Sequence, residues 1–440
     1  MHPQALLNAC ADLLAQVLPL QHPADAVVSR YFREHRALGP RERATLAETC
    51  YAVLRHKRLL EHLAKSGVGP RERRLAVLGF HGDRAFLKSA LSEEEKRWLD
   101  TCVPYLPGGA QHGSLPEPLR HNLPDWLAAS VRAQLGGQGN EQGGEGGFWS
   151  LADSLNQSAP LDLRVNTMLQ KRELVAQELQ AQGVDVVPTP YSPWGLRVAG
   201  KPALQKWDAF TRGAIEVQDE GSQLLALLLD ARRGEMVADF CAGAGGKTLA
   251  IGAAMRGTGR LYAFDVSAHR LAALKPRLAR SGLSNVHPVA IAHERDERIK
   301  RLAGKMDRVL VDAPCSGLGT LRRNPDLKWR QTPQTVQELA AKQAAILASA
   351  ARLVKPGGRL VYATCSLLPE ENEAIALAFG QANPGLAPLN AAELLHGLKV
   401  ADAATLCTPA ANGAPAGQYL RLWPHQHGTD GFFAAAWQRA

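Results

Sequence analysis

Asp239-Phe240-Cys241-Ala242-Gly243-Ala244-Gly245-Gly246-Lys247-Thr248 follows an apolar run that begins at Met236, and it opens onto a helical pattern. Glycines at such a strand-to-helix turn let the backbone approach a ligand, and the helix start aims N–H groups at it. Two familiar readings fail. Gly246-Lys247-Thr248 has the end of a P-loop, but that loop needs a glycine where Cys241 stands. The dinucleotide fingerprint fails as well, because the third glycine follows the second directly instead of three residues later. Outward from this loop the pattern alternates. Runs at 236–240, 261–265, 286–291, 308–312 and 358–363 have strand character, with helical periodicity between them that is longest over 335–353. The alternation predicts an α/β fold, a mostly parallel sheet with helices on both faces.

Asp265 closes the second of these strands, about 25 residues after Asp239. An acidic residue there can accept hydrogen bonds from both hydroxyls of a ribose, and ligands of open α/β sheets sit at the carboxyl ends of strands. With both phosphate cradles excluded, the loop reads as a site for S-adenosylmethionine (SAM); a plain tight turn is the alternative. Cys241, Ala242, Gly243, Ala244, Gly245, Gly246 and Lys247 form the candidate cradle. Asp265 and Arg270 after the second strand complete the set.

The chain has 440 residues, which suggests about three domains, and its 45% hydrophobic content suffices for more than one core. A net charge of +9 fits a phosphate-bearing partner. No apolar stretch approaches a membrane span, and the start lacks the basic segment of a signal peptide. Seven cysteines without a CxxC pair disfavour a disulfide scaffold and a zinc site, so a cytoplasmic protein without metal is expected. Residues 1–135 read as all-helical, with Leu6, Ala9, Leu13, Leu14 and Val17 at helical spacing and Pro40 opening a later helix. Residues 136–150, rich in glycine, read as a flexible linker. Residues 151–233 read as a small α+β unit with strands at 161–165, 184–187 and 196–198 around a helix at 171–182. Residues 234–440 hold the alternating domain, which closes in a hairpin of 419–423 and 432–437.

Two cysteines stand at strand ends. Asp312-Ala313-Pro314-Cys315-Ser316-Gly317 follows the fourth strand and Ala363-Thr364-Cys365-Ser366 the fifth. Free cysteines are usually small buried hydrophobes, the reading that fits Cys10, Cys50, Cys102 and Cys407. Cys315 and Cys365 instead occupy polar loops at the ligand edge. Carbon 5 of a pyrimidine is a poor nucleophile. A thiolate that adds to carbon 6 turns the ring into an enamine, which activates carbon 5 toward a sulfonium methyl group. Loss of the carbon 5 proton then expels the thiolate. The step needs a thiol in a field of cations, for which Lys247, Arg322, Arg323 and Lys328 are candidates. It also needs an acid near ring nitrogen 3, for which Asp312 is nearest in sequence.

These motifs, with Arg323-Asn324-Pro325-Asp326-Leu327-Lys328-Trp329, Arg164-Val165-Asn166-Thr167, Val217-Gln218-Asp219-Glu220, Pro369-Glu370-Glu371-Asn372 and Asp430-Gly431-Phe432-Phe433, together resemble the Sun/Nol/Nop (RsmB-like) family of SAM-dependent RNA cytosine-5 methyltransferases. The likeness runs from about Leu161 to Trp437. It implies a Rossmann-like class I SAM methyltransferase domain. It implies that Cys365 is the nucleophile, that Cys315 assists release of the product, and that Lys247 and Asp312 complete the catalytic set. It places SAM against residues 241–247 and Asp265, with Asp312 between cofactor and base. Most members carry proline where this chain has Ala244, and Asp296 or Glu294 stands where members show an aspartate near the adenine. The helical first third followed by a small α+β, RRM-like unit is similar to the small-subunit rRNA branch, whose N-terminal domain is NusB-like.

The resulting expectation is an enzyme that forms 5-methylcytosine in RNA, with 16S rRNA ahead of tRNA, acting as a monomer without membrane or DNA. Two rivals are an amide-nitrogen or small-molecule methyltransferase, which needs no thiol, and a non-catalytic RNA-binding assembly factor. The paired cysteines weigh against both.

Overall fold

The computed structural model describes residues 1–136, 144–200, 202–411 and 414–440. By contacts the chain divides into two units. One comprises Met1–Ser158 with Thr320–Thr332, the other Ala159–Gly319 with Pro333–Ala440.

The first unit is helical among its described residues. Pro3–Val17 buries Leu6, Leu7, Cys10, Leu13, Leu14 and Val17 on one face, and Pro40 sits in the first turn of Pro40–Arg55. The spacing read from the sequence is thus the buried stripe of an amphipathic helix. Segment Thr320–Thr332 joins this unit through directed bonds. The Trp329 indole donates to the Leu54 carbonyl at 2.7 Å, and the Asp326 carboxylate accepts from the Ala24 amide at 3.2 Å. The linker expectation needs correction. Residues 137–143 lie outside the described residues, but Gly144–Leu155 is a helix. Phe148, Leu151 and Leu155 recur three to four residues apart and are fully buried, so apolar packing overrides the helix penalty of the glycines before them.

The second unit holds two sheets. The smaller consists of β1 (Leu161–Val165), β2 (Val186–Pro188), β3 (Gly195–Val198) and β4 (Ile215–Val217), in the order β2-β3-β1-β4. Its pairs are antiparallel, and helix Arg172–Ala181 connects β1 to β2. With the short helix Asp208–Thr211 before β4, this is the split β-α-β arrangement of a ferredoxin-like unit.

The larger sheet contains β5 (Met236–Asp239), β6 (Arg260–Asp265), β7 (Val286–Ala290), β8 (Met306–Asp312), β9 (Val354–Thr364), β10 (Leu386–Leu389), β11 (Leu420–Leu422) and β12 (Phe432–Arg439). Its order is β10-β12-β9-β8-β5-β6-β7, with β11 paired to β12. Strands β5 to β9 run parallel and β12 antiparallel to β9. Val309, Leu310, Val311, Leu360, Val361 and Tyr362 are fully buried on both faces, as expected of parallel strands covered by helices. The chain fills one side of β5 with β6 and β7, then returns to place β8 on the other. That reversal makes the carboxyl end of β5 a crevice. The Rossmann-like expectation therefore holds, and the expected final hairpin is the β11–β12 pair with helix Pro424–His427 between its strands.

Glu216 of β4 links the two sheets. Its buried carboxylate accepts from the Arg277 guanidinium at 3.0 and 3.1 Å and from Arg280, both on helix Ala268–Ser281. Arg277 also donates to the Ala244 carbonyl at 2.6 Å, which ties the glycine loop to the same anchor. Glu216→Ala strands two guanidinium groups against a buried site. It is expected to lower the unfolding free energy by about 2–4 kcal/mol, less than for a fully buried pair because both arginines keep some solvent; denaturant unfolding at constant slope measures it.

Candidate active site

Four parallel strands deliver polar residues to one edge. β5 ends at Asp239, β6 at Asp265 and β8 at Asp312, while β9 ends one residue before Cys365. The glycine loop springs from the first of these. Gly243 and Gly245 have φ of +56° and +83°, a region that favours glycine. A Cβ on Gly245 would also lie 2.1 Å from Leu274, so this position excludes a side chain on two counts. Helix Gly246–Ala254 follows, and its first N–H groups have no partner within the helix.

Asp265 is 4% exposed. One oxygen accepts from the Gly243 amide at 2.8 Å and the other from the Ser267 amide at 2.7 Å. The carboxylate thereby fixes the loop after β5 to the loop after β6 and keeps lone pairs for further donors. Arg270 stands 3.9 Å from it. A Cβ at Gly243 would meet nothing nearer than Arg270, at 3.7 Å, so backbone there faces open space. A carboxylate for ribose hydroxyls, an open glycine turn and free helix N–H groups are the donor and acceptor set that SAM requires, and the residues fit it.

Asp296 behaves differently. It caps the short helix Glu297–Lys300, accepting from the Ala292 amide at 3.0 Å, the Arg298 amide at 2.9 Å and the Arg298 guanidinium at 2.7 Å. The Arg298 guanidinium and these amides hold its carboxyl well below the usual carboxylate range. Its hydrogen bonds therefore go to its own loop.

Beside the loop, the Lys247 ammonium donates to Asp312 at 2.7 Å and lies 5.7 Å from the centre of the Phe432 ring. Burial disfavours the ammonium, but the charge and hydrogen bond of Asp312, helped by Cys365 and Asp239, outweigh it and raise the Lys247 pKa. Lys247 is thus held as the cation of this pair. Asp312 is the more open partner, its side chain 29% exposed against 10% for Lys247. Of the cations expected around the thiol, Lys247 interacts electrostatically with Cys365. Arg322, Arg323 and Lys328 fall in the segment that packs with the helical unit. There the Lys328 ammonium donates to the Arg55 carbonyl and to Asn156, both at 2.8 Å. Burial, then the Arg55 charge, pushes its pKa well down.

The sulfur atoms of Cys315 and Cys365 lie 3.3 Å apart. The hydrogen bond with Cys365, then burial, then the charges of Cys365 and Glu371 raise the Cys315 pKa well above that of a free thiol. Cys315 is thus held as a thiol beside its neighbour. Cys241 is pushed up by burial and by the surrounding carboxylates, which makes it a packing residue of the loop rather than a nucleophile. Sequence reasoning passed over Glu371 as a working residue. It is fully buried and bonded to Ser316, Ser366 and Gln343. The signal was its place in the Pro369-Glu370-Glu371-Asn372 block.

Fold and cradle define a SAM-dependent methyltransferase. The family described as 16S rRNA methyltransferase RsmB/F matches residues 226–438, and the RsmF/B-like ferredoxin-like domain matches 123–205. The probable ribosomal RNA small subunit methyltransferase B of Synechocystis is 32% identical, over 94% of this chain and 95% of that protein. Its Bacillus subtilis counterpart of the same name is 34% identical over 63% of this chain and 59% of its own length. Among solved structures, PH0851 superposes with a TM-score of 0.77 at 28% identity, over 100% of this chain and 99% of that one. A methyltransferase homolog protein from Pyrococcus horikoshii gives 0.59 at 28% identity, over 73% of this chain and 97% of its own. The chain belongs to the RsmB/F family of 16S rRNA methyltransferases.

One carboxyl of the site titrates near neutrality. Asp239 is buried and accepts from Thr248 at 2.6 Å; burial pushes it up to about 7, the Thr248 bond opposing and the Asp312 charge reinforcing the rise. A carboxyl raised in the folded state stabilises fully below its unfolded value, and that contribution is lost as pH rises through the folded one. Asp239→Asn removes the titration. In thermal melts from pH 4.5 to 8.5, the advantage of the native chain over the variant should shrink until about pH 7 and stay constant above it. A pH-independent difference would show that Asp239 does not titrate there.

Proposed function

We propose that this enzyme forms 5-methylcytosine in small-subunit ribosomal RNA through a covalent bond between Cys365 and carbon 6 of the target cytosine. The observation that carries the reading is the pair of thiols, 3.3 Å apart on the loops after β8 and β9, with Lys247 coupled to Cys365. The names of the relatives favour ribosomal over transfer RNA, and a ribosomal substrate supports a cytoplasmic reaction. The cradle, the ion pair and both cysteines come from one chain, so one copy suffices.

In this reading the Lys247 ammonium favours the Cys365 thiolate, whose electron pair forms the bond to carbon 6. Asp312, the open member of the ion pair, faces the ring. A proton delivered to nitrogen 3 from the Lys247–Asp312 pair cancels the charge that addition would otherwise place on the ring. Residues 241–247 and Asp265 would hold SAM, which would supply an electrophilic methyl group for the activated carbon 5. After carbon 5 gives its proton to a solvent water, that electron pair re-forms the double bond, the carbon–sulfur bond breaks with its pair on Cys365, and the nitrogen 3 proton returns to the Lys247–Asp312 pair. Cys315, held as a thiol, donates a hydrogen bond to the departing sulfur of Cys365 and so favours release. An amide-nitrogen methyltransferase would need neither thiol.

The test combines a map with two variants. Bisulfite sequencing of RNA from a strain lacking the gene should lose one signal in small-subunit rRNA; a signal lost in tRNA would overturn the substrate, and no lost signal the reaction. Cys365→Ala should abolish both methylation and any covalent RNA complex on a denaturing gel. Cys315→Ala should lower turnover by about 100-fold or more and accumulate that complex. Equal loss in both variants with no trapped complex would exclude the division of roles.

A further inference from the structure

Both cysteine loops are fastened by two adjacent residues, Glu371 and Asn372, that follow β9. The Glu371 carboxylate is fully buried, with no ion pair among the described residues. One of its oxygens accepts from the Ser316 amide at 2.8 Å and the Gln343 amide group at 2.9 Å. The other accepts from the hydroxyls of Ser316 and Ser366, both at 2.5 Å. Gln343 also donates to the Pro314 carbonyl at 3.0 Å, so the residues on either side of Cys315 are held by Glu371 and its partner. Asn372 does the corresponding work around Cys365. It accepts from the Thr364 hydroxyl at 2.5 Å and donates to the Ser366 carbonyl at 3.0 Å.

The two residues are not equivalent. The Cys365 loop has its own clamp in Asn372 and touches Glu371 through one hydroxyl. The Cys315 loop has two direct bonds to Glu371, through the Ser316 amide and hydroxyl, and a third through Gln343. We propose that Glu371 is the positioning residue of the release step: it holds the Cys315 thiol against the Cys365 sulfur, while Asn372 holds Cys365 for attack. This rests on the reading of the two cysteines given above. The negative charge of Glu371 acts in the same direction, since it helps keep Cys315 protonated and able to donate.

The experiment uses the full chain, SAM and small-subunit rRNA isolated from a strain lacking the gene. Glu371→Gln keeps one acceptor oxygen but removes the charge and puts N–H₂ in place of the other, so the charge-assisted bonds to the Cys315 loop become weaker neutral ones. Turnover should fall by about 10- to 100-fold, the loss of one or two hydrogen bonds to a charged group, while the covalent RNA complex accumulates as in Cys315→Ala. Asn372→Ala should do the opposite and slow formation of the complex without accumulation. A role in stability alone would lower formation and release together in both variants, in step with their melting temperatures, and that result overturns the proposal. If Glu371→Gln fails to melt cooperatively or to bind SAM, Ser316→Ala takes its place. It removes one donor to Glu371 and should trap the complex to a smaller extent; no trapping overturns the proposal. Cys315→Ala is the control. If it traps nothing, the two-cysteine reading itself fails; if it traps while Glu371→Gln and Ser316→Ala release normally, only the role of Glu371 fails.

Discussion

The register between β8 and β9 is the constraint on which the site depends. The strands run parallel with Asp312 opposite Ala363, so the loops that leave them emerge side by side and in the same direction. Cys315 lies three residues beyond Asp312 and Cys365 two beyond Ala363, which brings two thiols 50 positions apart into contact. A slip of one residue would turn every side chain of a strand to the opposite face and separate them. Burial prevents it. Leu360, Val361, Tyr362 and Ala363 are covered on both faces, and β12 pins β9 from the other side along six paired residues.

The same geometry shows why the fold was legible in the sequence. Strands buried on both faces appear as short apolar runs, and an acidic residue or a cysteine stands at or just beyond the carboxyl end of four of them. Asp239, Asp265, Asp312 and Cys365 all carry that signature, and all reach one edge. What sequence could not show was which partner each polar residue takes. Lys328 is near Cys315 in sequence, yet its ammonium is bonded to Arg55 and Asn156, because Trp329 and Asp326 draw its segment into the helical unit. Asp296 has the composition of a ligand residue, but an arginine two positions on and two nearby amides take its oxygens. The glycines before Phe148 signal a linker by composition. Three buried apolar residues at helical spacing decide otherwise, since helices in proteins draw their stability more from packing than from propensity. Glu371 was hidden for another reason. A buried carboxylate is recognised by its donors, and these come from two loops and a helix that only the folded chain assembles.

Two neighbouring thiols pose an electrostatic problem that one loop sequence could not solve. Thiolates at 3.3 Å would repel strongly in a buried site, so at most one can be charged at a time. Which one depends on the charges around the pair. Lys247 is coupled to Cys365, and its own ammonium is secured by Asp312, so positive charge is available on that side whatever the cost of burial. Glu371 contributes negative charge on the side of Cys315 and raises its pKa further. The surroundings of the two sulfur atoms are therefore unequal: the Glu371 charge acts on Cys315, and the Lys247 ammonium interacts with Cys365. In the proposed mechanism two chemically identical groups divide attack and release, and the difference between them has to come from their neighbours rather than from the thiols themselves.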